Sequence, residues 1–89
     1  MLIEFDAAKR EATLAARDLD MARAGEVFVD TNITFEDVRF AYGEPRFITI
    51  GDLDERMVVL VWTPRGAARR IISLRKANAR EQRTYRLLL

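Results

Sequence analysis

The chain has 89 residues, 49% of them hydrophobic, and a formal net charge of +1. That length fits one compact domain over residues 1–89, and one small enough that a partner would add usefully to its stability. Cysteine and histidine are both absent, which excludes disulfides, thiolate or imidazole metal sites, cysteine nucleophiles and imidazole acid–base catalysis.

The chain turns acidic at Glu4 and Asp6 with no apolar stretch before them, so no secretory leader is expected. From Phe5 to Arg17 the sequence predicts a helix, with Asp6 as its N-cap and alanines favouring the helical state. Ala8, Ala12 and Ala15 beside Leu14 give it only a shallow apolar stripe. Asp18-Leu19-Asp20 breaks the pattern and offers a second cap. Met21, Ala24, Val27 and Phe28 then mark a short second helix with one apolar face.

After Asn32 the signal changes to β. Ile33-Thr34-Phe35 is a short strand, and Tyr42-Gly43-Glu44-Pro45 a turn. Strands are expected over residues 46–51 and 56–63, the second being the most apolar and therefore central. Its run Met57 to Trp62 is the longest apolar stretch, far below the ~18–20 residues of a membrane span. Pro64-Arg65-Gly66 is expected to turn the chain into a last strand over residues 67–74. Asn78 and Glu81 have the spacing of a capping box opening a C-terminal helix to Leu88. The expected fold class is α+β: two N-terminal helices, a four-stranded antiparallel sheet and a C-terminal helix.

Charge is unevenly distributed along this order. Residues 64–89 hold eight basic side chains against the single acid Glu81, whereas the first 63 residues hold seven bases and thirteen acids. Such a split suggests a surface for a polyanion, although arginines also serve simply to solubilise a strand and helix or to block an exposed edge.

With histidine and cysteine absent, catalysis must use Arg, Lys, Tyr, Glu or Asp. These groups suit cleavage of RNA by its own 2′-OH, because arginine forks match phosphate and preorganised cations stabilise the developing charge. The catalytic candidates are Arg46, Arg70, Arg75 and Lys76, with Glu44 or Tyr85 in proton transfer. Arg69, Arg80 and Arg83 are candidates for holding RNA. No metal site and no cofactor are expected; Asp52, Asp54 and Glu55 read as loop composition. Strict alternation along the last strand would put Ile72, Leu74 and Arg70 on the core side and Arg69, Ile71, Ser73 and Arg75 on the other. Trp62 reads as core. Phe40, isolated in a polar loop, suggests a partner-binding surface.

Arg70-Ile71-Ile72-Ser73-Leu74-Arg75-Lys76-Ala77-Asn78, followed by Glu81 and Tyr85, resembles the C-terminal signature of the BrnT family of toxins. Tyr42-Gly43-Glu44 with Arg46, Thr49 and Gly51 resembles its second block. Glu4-Phe5-Asp6 with Lys9, and Ala24 to Phe28 with Asp30, resemble its N-terminal part. The resemblance implies a cytoplasmic RelE/ParE-like ribonuclease of a type II toxin–antitoxin pair. It also implies a cognate BrnA-like antitoxin with a ribbon-helix-helix domain, through which the complex would bind operator DNA. The chain departs from the family at Ala16-Arg17-Asp18, where a glycine is usual, and at Ala41, where an acid is common. Fold alone leaves two other functions open: a non-catalytic toxin-fold binding subunit, and a ParE-like gyrase inhibitor.

Overall fold

The computed structural model describes residues 1–89. In chain order the elements are β1 (Leu2–Glu4), α1 (Ala7–Arg17), α2 (Ala24–Val29), β2 (Asn32–Glu36), β3 (Phe47–Leu53), β4 (Arg56–Arg65), β5 (Ala68–Lys76) and α3 (Ala79–Tyr85). One 3₁₀ turn, Met21–Arg23, precedes α2 and another, Arg86–Leu88, follows α3. The five strands form one mixed sheet in the order β1-β5-β4-β3-β2. The α+β class and the three helices agree with the sequence. The four-stranded, wholly antiparallel sheet is corrected by β1, which pairs parallel to β5 from Leu2–Ala68 to Glu4–Arg70. Three residues are too few for a period-2 signal, so only the pairing exposes this strand.

Local chemistry sets the element ends. Asp6 accepts from the Lys9 N–H at 2.9 Å and starts α1. The helix ends at Asp18, whose φ of 56° is left-handed and whose N–H bonds the Leu14 carbonyl, so a carboxylate side chain occupies a position that favours glycine. Asp20 caps the 3₁₀ turn through the Ala22 N–H and grips Arg10 of α1 through two bonds of 2.7 and 2.9 Å. With no buried residue of its own, α1 is tied down largely by that pair and by Arg17 donating to the Leu74 carbonyl. β4 and β5 are joined at Gly66 and Ala67. Positive φ at Gly66 alone fits a type II′ turn. Pro64 is thus a strand residue paired with Arg69, beyond the Phe47–Trp62 rung where β3 stops flanking β4.

β4 is buried on both faces. Val58, Leu60 and Trp62 meet α2 and the 3₁₀ turn through Val27, Phe28 and Met21; Met57 and Val59 join Ile50 and Ala77 under α3. Trp62 stacks on Phe47 at 5.0 Å, meets Phe28 edge-on at 5.4 Å and donates its Nε1–H to Thr49 Oγ1. Gly51 lets α2 approach the sheet: a Cβ there would lie 2.9 Å from Val27 Cγ1 and 3.3 Å from Asn32 Cβ.

Strict alternation fails in β5. Val61 pairs with Ser73 and Trp62 with Ile71, so Ile72 is an extra residue in a β-bulge. Ile71 and Leu74, not Ile72 and Leu74, therefore pack against α2. Arg69 follows Ile71 to that side, its guanidinium 4.5 Å from the rings of both Phe28 and Trp62. Arg70, opposite Thr63, faces the α3 side rather than the core expected from alternation.

Two substitutions test this packing. Gly51→Ala should cost about 1–3 kcal/mol as α2 is forced outward. Asp18→Gly should gain about 0.5–1 kcal/mol by relieving the left-handed backbone. Denaturant midpoints at neutral pH check both.

Candidate nucleic-acid interface

The α3 side of the sheet carries the arginine-rich site. The β2–β3 ladder runs one rung past Glu36–Phe47, with the Asp37 N–H donating to the Arg46 carbonyl at 2.7 Å. Arg46 thereby prolongs β3 on its β2 side, and beside it the Thr63 hydroxyl donates to the Pro45 carbonyl. Thr63 pairs with Arg70 and Arg70 with Glu4, and Arg46, one residue beyond the last β3–β4 pair Phe47–Trp62, falls next to Thr63 if that register is extended; the row Glu4–Arg70–Thr63–Arg46 then lies on one face of the sheet. Neighbouring strands are about 4.8 Å apart, which puts the Arg46 and Arg70 backbones roughly 10 Å from one another. Farther along the same face, Arg75 stands opposite Val59.

Each of these arginines already has a carboxylate. Arg70 donates to Glu4 at 2.9 Å. Arg46 Nε lies 3.5 Å from Glu44 but makes no hydrogen bond and is buried without a partner; Arg65 approaches the same carboxylate at 3.7 Å. The Arg46 guanidinium also lies over the Tyr42 ring, 4.2 Å from its centroid. Arg75 makes the tightest pair, two bonds of 2.7 and 2.8 Å to Glu81. Glu81 in turn accepts from the Asn78 N–H in the capping box that starts α3. The Arg75 guanidinium, helped by that N–H, holds the Glu81 carboxyl at about 2, below its ordinary 4.5.

The other sequence candidates are spread out. Arg80 and Arg83 are exposed on α3, whereas Lys76, also exposed, pairs with Val58 and so stands on the α2 side of β5, away from Arg75. Tyr85 is half-buried against Phe35, rings 6.4 Å apart, and packs on the cluster of Ile50, Met57 and Val59. Phe35 pairs with Ile48, two positions along from Arg46. Arg69 lies on the opposite side of the sheet from Arg70 and is not brought into this site. No three carboxylates converge to hold a metal ion, and no helix is long and apolar enough to cross a membrane.

Sequence reasoning missed Asp37. Its buried carboxylate accepts two bonds from the Arg39 guanidinium at 2.8 and 2.9 Å, one from the Arg39 N–H and one from the Tyr42 hydroxyl at 2.9 Å. Arg39 holds that carboxyl well below the usual range, while burial and the bond to Asp37 push the Tyr42 hydroxyl up. The only sequence signal was a charged triplet, Glu36-Asp37 and then Arg39, after a strand, which reads equally well as a solvated loop.

The geometry is that of a basic sheet face whose cations are held by exchangeable acids. The family model described as "Ribonuclease toxin, BrnT, of type II toxin-antitoxin system" matches residues 5–81. The chain belongs to the BrnT family. No curated protein matches it. The match takes in the Arg46 and Arg70 row except Glu4, and reaches Glu81, the partner of Arg75. Membership of a type II system implies a protein antitoxin.

The Glu81 pair gives this BrnT chain an acid-sensitive contact. A depressed folded value means that the stabilisation is complete above the ordinary carboxylate range and is lost as pH falls from about 4.5 toward about 2. Glu81→Gln should lower the melting temperature at pH 7 and flatten its decline over that window, as followed by thermal melts at successive pH values.

Proposed function

We propose that this chain is an active endoribonuclease, working as a single domain, that cleaves single-stranded RNA without a metal ion through the row containing Arg46 and Arg70. The observation that carries the reading is this row, with Glu44 beside it, in a chain of the BrnT family. In the proposed reaction Glu44 takes the proton of the 2′-OH, whose oxygen attacks the adjacent phosphorus. The P–O5′ bond breaks, leaving a 2′,3′-cyclic phosphate and a 5′-OH that takes up a proton, for which Tyr85 is the donor. Arg46 and Arg70 neutralise the non-bridging oxygens as charge builds up.

Pair strengths rank the arginines. Half-exposed ion pairs are worth about 0–1 kcal/mol, so a phosphate can displace the Glu4 carboxylate from Arg70 at little cost. Arg46 gives up still less, because its approach to Glu44 is not a hydrogen bond. Arg75 is bound twice to Glu81 and anchors α3, which suits it to position the helix and to add charge to the RNA track with Arg80 and Arg83. The cognate antitoxin is proposed to be BrnA-like, with a ribbon-helix-helix domain that carries the complex to operator DNA, and the location to be the cytoplasm.

The same carboxylate pairing favours one rival, a non-catalytic toxin-fold subunit whose basic face is neutralised within the chain. Incubation of labelled single-stranded RNA with antitoxin-free protein separates the two. Cleavage should persist in EDTA and fall by about 10²–10³-fold in Arg46→Ala and in Arg70→Ala. Cleavage abolished by EDTA would overturn the metal-free mechanism, and unchanged rates in both variants would overturn the site.

A further inference from the structure

The proposed reaction makes no use of the aromatic rings in the segment of residues 37–46. Phe40 is 68% exposed, and its ring meets Tyr42 edge-on with centroids 5.8 Å apart. The Arg39 guanidinium lies 5.9 Å from the Phe40 ring, and that of Arg46 lies 4.2 Å from the Tyr42 ring. Two adjoining rings, Phe40 and Tyr42, are therefore flanked by one cation at each end, Arg39 and Arg46. The support is anchored, because Asp37, with 1% of its side chain exposed, takes bonds from both Arg39 and Tyr42. A ring displayed on a fixed support has already lost its freedom on folding, so less is lost when a ligand lands on it.

An exposed ring with one guanidinium beside it and a second across the neighbouring Tyr42 ring suits a ligand with a flat face and a negatively charged backbone. In single-stranded RNA the base stacks on the ring while the phosphates meet the cations. Arg46 links these rings to the sheet row. A protein partner is the competing occupant, since Val38 is also exposed next to Phe40. Its apolar side chains would meet guanidinium groups beside the rings, whereas a nucleotide is complementary to both.

We infer that Phe40, braced by Tyr42 and Asp37, is a base-stacking residue that holds a nucleobase of single-stranded RNA beside the phosphate at Arg46. This rests on the RNA-cleaving reading above, and its test is independent of catalysis. A short single-stranded 2′-O-methyl oligoribonucleotide cannot be cleaved by 2′-OH attack, and its abasic counterpart keeps the phosphates but offers nothing to stack. Fluorescence anisotropy then gives the affinity of each for the full chain. Phe40→Ala and Phe40→Leu should weaken the base-bearing oligonucleotide by about 5–100-fold. They should leave the abasic one within about twofold, and Phe40→Trp should restore binding. Equal loss on both oligonucleotides would mean a collapsed segment and would overturn the inference, as would unchanged affinity for both. Loss of antitoxin binding in Phe40→Ala with RNA affinity intact would assign the ring to the protein partner instead. Wild-type protein that shows the base-dependent effect but does not cleave natural RNA would sink the ribonuclease reading alone, whereas wild-type protein that binds neither oligonucleotide would sink this one.

Discussion

Arg70 and Arg75 are five positions apart on a strand whose side chains alternate, so a regular β5 would send them to opposite faces of the sheet. The extra residue at Ile72 cancels that parity. Arg70 opposite Thr63 and Arg75 opposite Val59 consequently share the α3 face, while Ile71 and Leu74 share the other with the core of α2. The arginine row, the anchor for α3 and the stacking of Arg69 on Phe28 and Trp62 all depend on this one insertion. A bulge also bends and twists its strand, and here it lies between the two ends of the basic track. The strand thus packs Ile71 and Leu74 into the core on one side, with Arg69 stacked at its margin over Phe28 and Trp62, and presents Arg70 and Arg75 on the other.

Burial of β4 on both faces complements that arrangement. Val58, Leu60 and Trp62 hold α2, and Met57 and Val59 hold α3, so the sheet between them is a rigid platform from which Thr63 and its neighbours project. Rigidity carries a liability on a basic surface, because fixed like charges repel. The molecule answers with carboxylates from four separate places: Glu4 on β1, Asp37 and Glu44 on either side of the Arg39–Tyr42 segment, and Glu81 at the start of α3. These pairs are graded, from the buried Asp37 and bidentate Glu81 to the loose Glu44. The gradation separates arginines fixed for architecture from arginines free to change partners.

Much of this was legible in the sequence because the signals were local. Asp6 and the Asn78–Glu81 box bind N–H groups within one turn, and the apolar run from Met57 to Trp62 announces a central strand whatever surrounds it. Asp18 was legible as a forced left-handed terminus because the glycine expected there is missing. What escaped was non-local. β1 is only three residues and exists through its pairing with β5 across 66 positions. The bulge depends on which β4 residue faces which β5 residue, a relation that a single-strand pattern does not contain, and so Arg69 and Arg70 were assigned to the wrong faces. At the site, the basic residues stood out by composition, but their carboxylate partners did not. Glu4–Arg70 joins the two ends of the chain, and Asp37 looked like any loop acid until its burial was seen.

The pairing of β1 with β5 also bears on how the chain comes into being. Leu2, Ile3 and Glu4 are made well before β5, the strand that receives them. Until β5 exists, β4 lacks one of its two neighbours, β1 has none, and neither Arg70 nor Arg75 has been made. Contacts this distant in sequence form late and close a long loop. A chain stopped before β5 would therefore lack the completed sheet together with Arg70 and Arg75, so the last-made strand closes the sheet and supplies much of its basic face at the same time.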